Sequence, residues 1–126
     1  ASAATDIIAA LAPIPSPENR LRALATRASA PAPERFGGAL VEPAIRAWAL
    51  GDASAAARLA RVDEIRTGYL RSLLKDCGRP AHYAELIYAT YLGYDDLQAR
   101  GYALGSDLPR SAMSDVVELI LSHPPE

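Results

Sequence analysis

At 126 residues, half of them hydrophobic, the chain is long enough for one well-packed domain and too short for two ordinary ones. Its 13 Lys and Arg against 15 Asp and Glu give a net charge of -2, which excludes the basic footprint of a chain that itself grips nucleic acid. The single cysteine, Cys77, excludes an intramolecular disulfide and a cysteine-based zinc site and fits a reducing, cytoplasmic setting. No uncharged run approaches the ~18 residues needed to span a bilayer, and no basic-then-apolar leader stands at the front, so neither membrane nor export is expected. The start at Ala1 without a methionine reads as a processed or trimmed chain.

Strand signals are nearly absent, and the apolar residues of this Ala-, Leu- and Arg-rich chain recur at helical spacing. The pattern predicts an all-α fold, an antiparallel bundle of about six helices. Ser2 or Thr5 caps a short first helix carrying Ile7, Ile8 and Leu11, ended by Pro13 and Pro15. Ser16-Pro17-Glu18 opens a second helix that buries Leu21, Leu24 and Ala28 before Pro31 and Pro33 close it. In the third, Val41, Ala44, Ile45 and Trp48 share one face, with Glu42 and Arg46 displaced from it. Gly51-Asp52 stops that helix and caps the longest one, from about Ala53 to Cys77. Its apolar arc holds Leu59, Val62, Ile65, Tyr69, Leu70, Leu73 and Leu74. Gly78 terminates it, and Pro80 starts the next helix. Tyr94 to Pro109 reads as helix end plus loop, and a last helix from about Arg110 to Ser122 carries Met113, Val116, Val117, Ile120 and Leu121 on one face.

From Leu86 through Tyr94 there is no charge, so this helix is expected to have two buried faces. At about 100° per residue, Tyr83, Ala84, Ile87, Tyr88 and Tyr91 fall on one side and Leu86, Ala89, Thr90 and Gly93 on the other. A monomeric bundle uses both faces internally. Alternatively, Leu86, Ala89, Thr90 and Gly93 join Met113, Val116, Val117 and Ile120 of the last helix to meet a twin as a four-helix homodimer interface. Arg66 falls inside the apolar arc, and a buried guanidinium needs a partner. That partner is either a carboxylate of the same domain, Asp63 or an acid on another helix, or an acidic or carbonyl-bearing ligand, unless the side chain turns out to solvent. The aromatics Phe36, Trp48, Tyr69 and Tyr88 are either plain core or the border of a pocket. Nothing assembles a catalytic or metal site. His82 with Glu85 is one pair where a metal needs three or four ligands, and Cys77 has no candidate base and sits at a helix C-terminus, where the dipole raises a thiol pKa. No cofactor is expected, and the chain does not read as an enzyme.

The succession Val41-Glu42-Pro43-Ala44-Ile45-Arg46-Ala47-Trp48-Ala49, then Val62 to Leu74, then Tyr88-Ala89-Thr90-Tyr91-Leu92-Gly93 resembles the C-terminal ligand-sensing and dimerisation domain of TetR-family transcriptional regulators. The resemblance covers most of the chain, and nothing here is similar to the N-terminal helix-turn-helix of that family. It implies a single ligand-binding and dimerisation domain over 1–126, with 1–14 the end of the linker helix region and 15–126 the bundle. It further implies a homodimer, DNA contact only through an N-terminal domain not in this chain, and a small, mostly apolar effector held between helices. Phe36, Trp48, Arg66, Tyr69 and Tyr88 are the candidate ligand-binding residues, and the segment around Ala3 to Leu11 is the output lever. One departure is Glu85-Leu86, where many relatives place an Arg-Ala pair. The alternative is a helical oligomerisation or protein-interaction module without a ligand. A roomy apolar cavity favours the sensor, a solid core the module.

Overall fold

The computed structural model describes residues 3–28, 41–101 and 108–124, with side chains over 7–28, 43–101 and 112–124. Across them run six helices and no strand: α1 (Ala3–Leu11), α2 (Pro17–Ala28), α3 (Val41–Ala49), α4 (Ala53–Asp76), α5 (Tyr83–Ala99) and α6 (Leu108–Ser122). The signals that divide them are local. Ser16 Oγ accepts the Asn19 amide at 3.2 Å and donates to Glu18 Oε1 at 3.1 Å, so one side chain satisfies an orphan amide and places an acid at the positive end of α2. Asp52 does the same for α4, accepting from the Ala55 amide at 2.9 Å. At the far end of α4 the Gly78 amide reaches Lys75 O at 2.9 Å and the Arg79 amide reaches Leu74 O at 2.8 Å, a Schellman closure. It needs the left-handed backbone that Gly78 supplies at φ 70°.

Three boundaries differ from the sequence pattern. Pro80 does not begin α5 but leads a turn of i→i+3 bonds, Tyr83 N to Pro80 O and Ala84 N to Ala81 O, which hands over to the helix at Tyr83. α5 runs on through Ala99, past the polar Asp95 and Asp96, because its inner face stays seated to that point: Asp95 itself is buried, at 4% exposure. α6 starts at Leu108, with Pro109 in its first turn, where a missing N–H costs nothing.

The core joins Leu21 and Ala25 of α2, Leu70, Leu73 and Leu74 of α4, Ala84, Ile87 and Tyr88 of α5, and Met113, Val117, Ile120 and Leu121 of α6. Fully burying a side chain such as Leu74, at 0% exposure, stabilises by about 1.5–3 kcal/mol. Ion pairs bracket the packing, with Arg22 Nε and Nη2 on the Glu118 carboxylate between α2 and α6, and Arg71 on Glu85 between α4 and α5. Both are exposed and add little. No helix among the described residues is long and apolar enough to cross a membrane.

Two expected faces are turned. On α3 the apolar stripe points away from the bundle: Ile45 is 39% and Trp48 59% exposed, while Arg46 faces inward. Among the described residues α3 packs chiefly against α4 and α5. The side it buries is the one that pairs Arg46 with Asp63, because a half-buried carboxylate left without donors costs more than an exposed indole. On α6, Met113, Val117 and Ile120 lie in the chain's own core, at 1–5% exposure, where α2 and α5 enclose them. Within the single chain these side chains fill the core and are not part of its exposed surface.

Candidate functional site

Between α1, α2, α4, α5 and α6 lies a cavity of about 180 Å3. Its wall is mostly aliphatic, and polar groups reach it from Arg66 and Tyr69 on α4, Tyr88 and Tyr91 on α5, and Arg27 at the end of α2. Ile7 and Ile8 of α1 form part of the same wall, so the first helix closes the space that the long helices leave. The volume slightly exceeds the ~150 Å3 that admits benzene into an apolar protein cavity and falls below the ~300–1,000 Å3 of pockets for drug-sized ligands.

The polar groups are organised by one hydroxyl. Tyr88 Oη donates to Asp63 Oδ1 at 2.5 Å and accepts from Arg46 Nη2 at 2.9 Å and Arg66 Nη1 at 3.1 Å. Arg46 in turn holds both Asp63 oxygens, at 2.7 and 3.3 Å. Both guanidinium groups lie beside aromatic faces, Arg46 5.8 Å from the Tyr88 ring centroid and Arg66 6.0 and 5.9 Å from those of Tyr88 and Tyr91. Burial, then the bond to the Asp63 carboxylate, pushes the Tyr88 hydroxyl up to about 12. Asp63 moves the other way. Burial raises its carboxyl, but hydrogen bonds from Arg46 and Tyr88 and the charges of Arg46 and Arg66 outweigh it and hold the group below the ordinary carboxylate value. Tyr69 is half-buried, and burial raises its hydroxyl as well.

Of the residues singled out in the sequence, Arg66, Tyr69 and Tyr88 meet at this cavity. Trp48 does not, standing exposed on the outer side of α3 because the Arg46 pairing fixes that helix's rotation. Phe36 lies outside the described residues. The acid expected beside Arg66 is present, but Asp63 is gripped by Arg46, and Arg66 reaches it through its charge and the shared Tyr88 hydroxyl. Arg46 was missed because its position off the apolar stripe reads as solvated. On α5, Leu86, Ala89 and Gly93 are exposed and Thr90 half-exposed, and a Cβ built on Gly93 meets nothing within 4 Å, so this face is open. Val116 of α6 is partly buried against the core.

Neither Cys77 nor His82 joins the site. Burial, followed by the nearby Glu18 charge, raises the Cys77 thiol, and it caps α4 through its backbone amide. His82 is exposed against the edge of the Tyr83 ring, and no group of three or more metal-ligating side chains occurs among the described residues. No family model, curated protein or solved structure matches the chain.

Proposed function

We propose that this chain is the effector-sensing and dimerisation domain of a TetR-like transcriptional repressor, acting in the cytoplasm and reaching DNA through an N-terminal domain outside this sequence. The observation that carries the reading is the cavity of about 180 Å3, apolar over most of its wall, with Arg66, Tyr69 and Tyr88 supplying a few convergent polar groups. Because Ile7 and Ile8 of α1 form part of that wall, an occupant acts directly on the segment that the family resemblance makes the output lever. The homodimer forms through the open face of α5, Leu86, Ala89, Thr90 and Gly93, together with the accessible side of α6 at Val116 and Leu119.

Two measurements test this. A small apolar ligand that fills the cavity raises the melting temperature by mass action, with a gain of about 2.7 kcal/mol at ~100 times its dissociation constant; a panel of such ligands that leaves the melting curve unmoved overturns the sensor. Light scattering at micromolar concentration is expected to give twice 13.4 kDa for the unmodified chain. Gly93→Arg, whose new side chain enters open space in the monomer, is expected to give a folded 13.4 kDa species. A monomer without the substitution overturns the dimer. The second reading, an interaction module without a ligand, is favoured by the exposed Ile45, Trp48 and Leu50 around α3, which a partner protein would cover.

A further inference from the structure

Most of the polar groups at the cavity already have partners within the protein. The Tyr88 hydroxyl has one proton, given to Asp63, and two lone pairs, taken by Arg46 and Arg66. Arg66 is held in that bond and beside the Tyr88 and Tyr91 rings, and Tyr91 stacks in turn on Tyr88. Arg27 is exposed at the rim, where water screens its charge. Tyr69 differs. It lines the space from α4 and packs half-buried against the core, yet among the described residues its hydroxyl neither donates nor accepts a hydrogen bond. Burial raises that hydroxyl, and only the charge of Arg20 acts against it. A polar group drawn from water without a partner costs free energy, and an occupant that supplies the partner recovers it.

The rest of the wall fixes the kind of occupant. A cation would meet no carboxylate, since none lines the space among the described residues. An anion would leave water for a mostly aliphatic hollow whose wall guanidinium, Arg66, is already engaged. Burying either charge costs more than burying a neutral molecule. A volume of about 180 Å3 admits one ring with a short substituent, and the tyrosine rings of the wall favour an aromatic body. A phenolic O–H is a better donor than acceptor, because the oxygen lone pair is delocalised into its ring. We infer that the occupant is a small neutral carbonyl compound, one aromatic ring bearing a short ketone or aldehyde group, whose oxygen accepts a hydrogen bond from Tyr69 Oη. The inference rests on the sensor reading above and narrows it from an apolar effector to one with a single acceptor. The anchor also lies where the lever is, because α1 rests on α2 and on α4, the helix that carries Tyr69.

Titration calorimetry on the whole chain at pH 7 compares acetophenone with two relatives. Cumene has nearly the same shape with a methyl group in place of the carbonyl oxygen, and benzoate carries a charge. Tyr69→Phe is expected to weaken acetophenone about fivefold, the net worth of one hydrogen bond, and to leave cumene within about twofold. Referring each ligand to itself removes the unequal cost of taking the two out of water. Benzoate is expected to bind the unmodified protein at least about tenfold more weakly than acetophenone. Because the Tyr69 hydroxyl has no partner among the described residues, Tyr69→Phe is expected to fold as the unmodified chain does. Should it fail to fold, the carbonyl stretch of bound acetophenone decides: a band below its frequency in alkane reports the donated hydrogen bond, and an alkane-like band overturns the inference. Equal losses for acetophenone and cumene, no loss for either, or benzoate binding as tightly as acetophenone also overturns it and leaves the sensor standing. If none of the three binds, the sensor reading falls and this inference falls with it.

Discussion

The two ends of the bundle bury their helices in different ways. Where α4 turns into α5, Leu73, Leu74, Cys77, Ala84 and Leu121 are buried together in the core cluster, and the reversal is tied by the Gly78 closure and by Arg79 Nη2 donating to Leu121 O at 2.7 Å. Further along the same two helices, away from that turn and toward the other end, Arg66 and Tyr88 stand beside an open space of about 180 Å3. The helices are continuous from one end to the other, so helix formation does not make the difference. Apolar side chains pack at any separation their volumes allow, whereas Asp63, Arg46, Arg66 and Tyr88 must keep hydrogen-bonding distances across three helices. The polar cluster sets the spacing of α3, α4 and α5 at its own level, and the hollow lies beside it.

The largest expected effect tests that contrast by truncation. Leu74→Ala, at 0% exposure within the packed end, is expected to cost about 3–5 kcal/mol in urea unfolding, since the site has no slack to absorb the lost volume. Ile65→Ala, at 46% exposure on the rim of the hollow, is expected to cost under ~1 kcal/mol. Equal losses at the two positions would mean that the ends are packed alike.

How far the sequence reveals this follows the same division. Signals confined to a few neighbouring residues are legible: Ser16 and Asp52 as caps, Gly78 as terminator, and the two-sided character of α5, whose buried Ala84, Ile87 and Tyr88 oppose the open Leu86, Ala89 and Gly93. The rotation of α3 is not legible. Its stripe of Ala44, Ile45 and Trp48 obeys helical periodicity and still faces outward, because the deciding interaction joins Arg46 to Asp63 and Tyr88, 17 and 42 residues away. Periodicity reports that a face is apolar and leaves open which neighbours claim the opposite face. The site was half legible for that reason: Arg66, Tyr69 and Tyr88 stand out by residue type on an inward arc, and Trp48, chosen on the same grounds, belongs to the one helix whose rotation a distant polar pair controls.

A second effect, of intermediate size, comes from pH. With its hydroxyl pushed from the ordinary 10 up to about 12, Tyr88 binds its proton more tightly in the folded chain than in the unfolded one. Its contribution is complete below pH 10 and is lost as pH rises from there through about 12, so stability falls over that window, by roughly 2–3 kcal/mol from this group. Asp63 has the opposite sign: its depressed carboxyl contributes above the ordinary 3.8 and loses that contribution as acid takes the pH down through its lower folded value. Tyr88→Phe is expected to flatten the alkaline arm and to cost about 1–3 kcal/mol at neutral pH, because Asp63 and two guanidinium groups lose a shared partner. Absorbance near 295 nm checks the assignment, and a Tyr88 that ionises near the ordinary 10 would dissolve the cluster.

The smallest expected effect is also the most direct test of the hollow, because it is expected to reverse sign between the two ends. Ala28 sits in the last turn of α2, half-buried on the cavity wall. Leu is nearly as good a helix former as Ala, so Ala28→Leu leaves the helix intact and projects a branched side chain toward unfilled volume. Cavity filling of this kind typically adds about 0.5–1 kcal/mol, and the thermal midpoint is expected to rise by a few degrees. The same exchange at the packed end, Ala84→Leu at 0% exposure, meets Leu73, Leu74 and Leu121 with nowhere to go and is expected to cost about 1–3 kcal/mol. Ligand response adds a second readout. In Ala28→Leu the volume left for an occupant shrinks, so a ligand that stabilises the unmodified protein should lose most of its effect while the protein itself melts later. Stabilisation together with loss of ligand response identifies the space as both empty and used. Destabilisation at Ala28 would mean that the hollow closes in solution and that the two ends differ only in polarity.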